Sequence, residues 1–215
     1  MYQLYYCRGK ASLTPHMLLE ELNVPYALVP VDVNNNQHKS PAYLTLNPAG
    51  KIPLLIDNGV VISETAAICL YLIDKHPEKN LAPTVGTVER AEFYKWLIYL
   101  TNTLQTELMI YFRPQKYSLI DDVNIKHNAY RNIAAMLDII EDALVANHAE
   151  NKGPYLLGEK CSAVDLFILM LARWTRDFAS PARARLRFSE YLQRVSSRPA
   201  VLRTFEAEEI HSPYY

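Results

Sequence analysis

The sequence predicts an α+β domain followed by an all-α domain. Strand-like and helix-like segments alternate over the first third of the chain. A stretch with two prolines and a glycine follows at residues 77–86. Beyond it, only helical periodicity is found. The expected division is 1–78 for the first domain, 77–86 for a linker and 87–215 for the second. A chain of 215 residues is long enough for two small domains with proper cores.

The elements follow in order. Tyr2 to Cys7 reads as a short aromatic and apolar strand. From Ser12 to Leu22 the pattern turns helical, with Leu13, Met17, Leu18 and Leu22 as its buried stripe. Ser12 or Thr14 can cap this helix, and Pro15 sits in its first turn, where a missing N–H costs little. Tyr26 to Val31 is a second strand, and Ser40 to Leu46 a short helix before the Asn47-Pro48-Ala49-Gly50 turn. Leu54 to Asp57 and Val60 to Ser63 form a hairpin around Asn58-Gly59. A helix then runs from Glu64 to about His76 and is apolar all round over Ala66 to Ile73. The order β-α-β-α-β-β-α is thioredoxin-like. In the second domain Phe93, Leu97, Leu100, Leu104, Leu108 and Tyr111 mark one long helix; Ile133, Leu137, Ile140 and Leu144 mark another. Val164, Ile168, Leu171, Thr175 and Phe178 mark a third, with shorter helices at Ser189 to Ser196 and Pro199 to Glu206. The expected result is a helical bundle.

Composition narrows the function. Half the residues are apolar and the formal net charge is −1, so no nucleic-acid partner is expected. The three cysteines, Cys7, Cys69 and Cys161, have no metal-ligand spacing, and a sparse odd count fits a reducing compartment. No apolar run approaches a membrane span and the start reads as a strand, so a cytoplasmic protein without membrane contact is expected. No metal site is expected.

Two junctions carry chemistry. A cis bond before Pro53 would turn the backbone of Ile52 outward, freeing its N–H and C=O to pair with an extended peptide; trans is the commoner state of such bonds. Ser63-Glu64-Thr65-Ala66 lies where a strand passes into a helix. The helix N-terminus offers unpaired N–H groups and a positive dipole end. A ligand carboxylate would dock on the N–H and hydroxyl of Thr65, and Glu64 would hold an ammonium alongside; plain capping by Ser63 is the equal alternative. His38, Lys39 and Lys51 supply cations for a second carboxylate, although such side chains are most often simply solvated.

Together, Asn47-Pro48-Ala49-Gly50-Lys51-Ile52-Pro53 and Ser63-Glu64-Thr65-Ala66-Ala67-Ile68 resemble the glutathione site of cytosolic glutathione S-transferases. The resemblance spans nearly the whole chain. It implies a cis bond at Pro53, Ile52 pairing with the cysteinyl backbone of glutathione, and Glu64 and Thr65 holding the γ-glutamyl end. Lys39, Lys51 and His38 would hold the glycyl carboxylate. Gly158 to Asp165 is similar to the family's folding motif, and its physics is a capping box in which Ser162 and Asp165 each bond the other's backbone N–H. The resemblance further implies a homodimer, glutathione as co-substrate with no other cofactor, and an apolar small-molecule electrophile. A glutathione-dependent reductase, dehalogenase or isomerase on the same scaffold, and a non-catalytic glutathione-binding protein, are the alternatives.

The bound thiol needs activation, because a free thiol titrates near ~8.5. Ser12 at the start of the first helix is the expected donor, with Tyr6 at the end of the first strand as the alternative and backbone amides near Ala11 and Ser12 as the third. Lys10 to His16 looks most like the bacterial beta-class pattern. That class carries a cysteine where this chain has Ala11, and a histidine and a lysine where it has Gln105 and Thr106. Cys7 reads as a small buried hydrophobe, and Arg183-Ala-Arg185-Leu-Arg187 as a solvated face.

Overall fold

A computed structural model describes residues 1–118 and 120–215. Contacts divide the chain into two compact units, one of Met1–Leu81 with Ser196–Tyr214 and one of Ala82–Val195 with Tyr215.

The first unit is built on four strands: β1 (Tyr2–Tyr6), β2 (Tyr26–Pro30), β3 (Leu54–Asp57) and β4 (Val60–Ser63). They lie in the order β2-β1-β3-β4. β1 and β2 are parallel, and the other pairs antiparallel. The parallel pair needs a crossover, which α1 (Leu13–Leu22) supplies. The β3–β4 hairpin closes on Asn58 and Gly59, both at positive φ, the turn that Asn-Gly favours. β1 stops at Tyr6, one residue short of the expected end, because the N–H of Cys7 goes to the Ser12 hydroxyl instead of a ladder partner.

Alternation along β1 assigns the two faces of the sheet. Tyr6 meets His16 of α1 edge-on, with ring centroids 6.2 Å apart. Tyr5 points the other way and meets Tyr43 of α2 (Pro41–Leu46) at 6.0 Å. α3 (Thr65–Lys75) packs against α1 and buries Ile68, Cys69, Leu72 and Ile73. At its far end Asp57 accepts from the Tyr71 hydroxyl at 2.7 Å and pairs with Lys75. The bonds from Lys75 and Tyr71 hold the Asp57 carboxyl below the usual carboxylate range. A lowered folded-state pKa stabilises the fold above the unfolded value of ~3.9, and that contribution is lost as pH falls through the folded value. Asp57→Asn should therefore flatten the acid limb of a melting-temperature profile measured below about pH 4. An acid limb as steep as that of the parent chain would remove Asp57 from this role.

The extent expected for the second domain needs correction at its end. α9 (Pro199–Ala207) belongs with the first unit and packs against α1. Val201, Thr204 and Phe205 are buried, Arg198 pairs with Glu21 at 2.5 Å, and Arg203 pairs with Glu20 at 2.6 Å.

The second unit is helical. α4 (Val88–Tyr99) runs through a π-helical turn at Leu100–Leu104 into α5 (Gln105–Phe112), where the sequence periodicity implies one regular helix. α6 (Asp122–Ala149) buries the expected Ile133, Leu137, Ile140 and Leu144. α7 (Ala163–Trp174) is shorter than its stripe suggests. Thr175 ends it by donating its hydroxyl to the carbonyl of Ala172 at 2.7 Å and accepting the N–H of Ala182 at 3.0 Å. Phe178, counted in the helical stripe, instead lies in the following turn, its ring 4.5 Å from that of Tyr111. α8 (Leu186–Ser196) starts before the expected Ser189, because the Glu141 carboxylate on α6 accepts from the N–H groups of Arg187 and Phe188. No described helix is long and apolar enough to cross a membrane.

Candidate functional site

The candidate site lies in the first unit, around the loop between β1 and α1. Ser12 is fully buried. Its hydroxyl accepts the N–H of Cys7 at 3.1 Å and donates to the carbonyl of Cys7 at 3.0 Å. The expected donor to a thiolate is thus a closed bracket between the end of β1 and the start of α1, with its one proton already committed. Tyr6 is also buried, with its hydroxyl beside the Arg8 guanidinium. The N–H groups of Ala11 and Ser12 have no acceptor among the described residues. Burial pushes the Cys7 thiol up, which does not suit a nucleophile at neutral pH.

A buried polar chain supports this loop from behind. Glu208, at the end of α9, accepts the N–H of Gly9 at 2.7 Å and faces His16 Nδ1 at 2.8 Å. The other ring nitrogen of His16 faces the Tyr26 hydroxyl at 3.1 Å, and Tyr26 donates to Glu20. His16 and Glu208 are essentially without solvent contact. Burial and the neighbouring Glu20 push the Tyr26 hydroxyl well above its ordinary value. Sequence reasoning assigned no role to His16 or Glu208. Glu208 is 192 positions from its partner and carries no local signal.

The turn after α2 brings two lysines together. Asn47 shapes it: its side-chain oxygen accepts the N–H of Ala49, its carbonyl that of Gly50, and its amide donates to the carbonyl of Lys51. Gly50 has φ +56, which strains other L residues, and a Cβ there would lie 3.0 Å from the backbone carbonyl of His38, so glycine suits this close approach. Lys39 donates to the carbonyl of Ala49 at 3.2 Å. His38 is half-buried in the preceding 3₁₀ turn; Lys51 is exposed. The Ile52–Pro53 bond is cis. Neither the N–H nor the C=O of Ile52 has a partner among the described residues.

The head of α3 completes the constellation. Glu64 stands at its N-cap with φ 70 and ψ 122, and no side chain caps the helix. Ser63 is therefore not the cap. The Thr65 hydroxyl donates to the carbonyl of Ala11 at 3.2 Å, tying the helix head to the β1–α1 loop. That corrects one expectation: the Thr65 proton is committed to the protein, and its backbone N–H is what remains for a ligand. A non-glycine residue held at positive φ costs of order 1–3 kcal/mol, and such strain clusters at ligand sites.

Elsewhere, Ser162 and Asp165 form the expected capping box at the start of α7. Asp165 is fully buried and also accepts the N–H of Leu156 at 3.0 Å and the hydroxyl of Tyr191 at 2.7 Å. Burial raises its carboxyl, against these donated bonds.

The first unit thus joins a thioredoxin-like sheet to an uncapped helix head and a cis-proline turn, and the second unit is helical. Residues 1–74 match the family model for the glutathione S-transferase N-terminal domain. Glutathione S-transferase hmp2 of Hypomyces subiculosus is 33% identical over 173 residues, which are 75% of this chain and 77% of that protein. Among solved structures, a glutathione transferase from Methylococcus capsulatus is 31% identical with a TM-score of 0.84, covering 98% of this chain and 100% of that one. A sphingomonad glutathione S-transferase complexed with glutathione is 25% identical with a TM-score of 0.83, covering 97% and 100%. The chain belongs to the glutathione S-transferase family and is a glutathione transferase.

Proposed function

We propose that the enzyme holds glutathione on the first unit and directs its thiolate at an apolar electrophile. The sulfur lone pair forms a bond to the electrophilic carbon, the leaving group departs with its electron pair, and the thiol proton goes to solvent. The observation that carries this reading is the head of α3, left without a side-chain cap while Glu64 is held at positive φ. An α-amino acid head satisfies both features: its carboxylate on the Thr65 N–H and its ammonium on Glu64. Ile52, with both backbone polar groups unpaired, suits the cysteinyl residue, and Lys39 and Lys51 suit the glycyl carboxylate, with His38 beside them. The glutathione held by the similar sphingomonad protein supports the same reading. Glu64→Ala should weaken glutathione binding by ~1.5–3 kcal/mol, the value of a hydrogen bond to a charged group. Unchanged affinity by calorimetry would remove Glu64 from the site.

For thiol activation we place the backbone first. The free N–H groups of Ala11 and Ser12 at the head of α1 add a positive dipole end to two donors. Ser12 then acts by holding the loop, not by donating to sulfur. Tyr6→Phe should leave the pKa of bound glutathione unchanged in an ultraviolet titration of the thiolate. A rise of about one unit, worth ~1.4 kcal/mol, would make Tyr6 the donor instead.

A further inference from the structure

The carbonyl of Lys51 is gripped twice. The Tyr43 hydroxyl donates to it at 2.7 Å and the Asn47 amide at 2.8 Å. Both donors come from the end of α2, where the N–H of Asn47 closes the last turn on the carbonyl of Tyr43. A backbone carbonyl has two lone pairs, so the two bonds fill it. The donors are themselves held in place. Tyr43 and Asn47 are buried. The Tyr43 ring meets that of Tyr5 edge-on, and the Asn47 side-chain oxygen accepts the N–H of Ala49 at 3.2 Å. Burial pushes the Tyr43 hydroxyl up to about 12, so it keeps its proton and remains a donor at neutral pH.

The same peptide unit carries the Ile52 N–H. The Lys51–Ile52 bond is trans, and in a trans unit the C=O and N–H lie in one plane and point opposite ways. Pinning the carbonyl towards α2 therefore aims the Ile52 N–H away from it, and that N–H has no partner among the described residues. Bonds from two side chains also resist rotation of the plane, which a single bond resists less. Hydrogen bonds in series polarise one another, so the filled carbonyl makes the N–H a better donor. On the reading that the first unit holds glutathione, we propose that Tyr43 and Asn47 are positioning residues for it: by holding the Lys51 carbonyl they preset the Ile52 N–H to donate to the cysteinyl carbonyl. A donor set in advance avoids the ordering cost that a free-turning peptide would add to binding.

Two substitutions test the pair. Tyr43→Phe removes one donor and keeps the ring. Asn47→Asp keeps the acceptor for Ala49 and loses the donor to Lys51. Calorimetry with S-hexylglutathione on each whole protein is expected to show a Kd raised about three- to tenfold, the effect of losing one hydrogen bond. In steady-state assays with chlorodinitrobenzene, the KM for glutathione should rise by the same factor. The kcat and the KM for chlorodinitrobenzene should stay within about twofold of the parent. A loss of folded protein would instead lower kcat and leave the KM for glutathione unchanged. That pattern in Tyr43→Phe overturns the inference and leaves the pair a brace of the turn. Should Asn47→Asp not fold, Tyr43→Phe carries the test alone. Glu64→Ala is the reference. If it loses affinity while Tyr43→Phe and Asn47→Asp bind as the parent does, the inference fails and the glutathione site stands. If all three bind as the parent does, glutathione does not sit at this turn and helix head, and the positioning role falls with it.

Discussion

Glu208→Ala is expected to lower the melting temperature by about 10 °C and to reduce thiolate formation on bound glutathione. The substitution removes the Glu208 carboxylate from the Gly9 N–H and from a ring nitrogen of the fully buried His16. A polar group that loses its partner in a buried place costs ~1–3 kcal/mol, two such groups are affected, and for a chain of this size each kilocalorie is worth roughly 2–4 °C. The effect on the thiol follows from position. Gly9 lies two residues before Ala11, whose N–H is one of the two proposed donors, so a loosened loop no longer holds those amides on the sulfur. Differential scanning calorimetry and thiolate titration on one preparation check both parts. A melting temperature within a degree or two of the parent would mean that the buried chain contributes little. A normal thiol pKa in a destabilised variant would detach it from catalysis.

Asp165→Ala should be of similar severity for a different reason. A capping box alone is worth ~0.5–2 kcal/mol. Asp165, however, accepts from four donors: the N–H groups of Leu156 and Ser162, the Ser162 hydroxyl and the Tyr191 hydroxyl. Each donor left unsatisfied in a buried place costs ~1–3 kcal/mol before relaxation, so a loss of about 4 kcal/mol is expected. Ser162→Ala removes only the box and should cost ~1 kcal/mol. Equal destabilisation of the two variants in urea would show that the Leu156 and Tyr191 bonds carry no weight. Turnover per folded molecule should stay near that of the parent in both, since neither residue lies in the first unit.

Much of this protein can be read without coordinates, because many of the relevant signals are local. The Asn58-Gly59 hairpin, the Leu144 stripe on α6 and the box of Ser162 and Asp165 each depend on residues within a few positions of one another. Their geometry follows from φ preference, helical period and capping. Where those rules misled, a distant group had intervened. Glu141 on α6 started α8 early; Thr175 stopped α7 early through Ala182. The Ser12 hydroxyl was legible as a cap or as a thiol donor. Only the fold turned it onto the backbone of Cys7 and excluded water from it. The tertiary structure alone brought Glu208 to His16 and α9 to α1. A helix cap is chosen by its chain neighbours, whereas the partner of a buried carboxylate is whichever donor the packing brings within reach. The cost of leaving such a group unpaired then holds the two together.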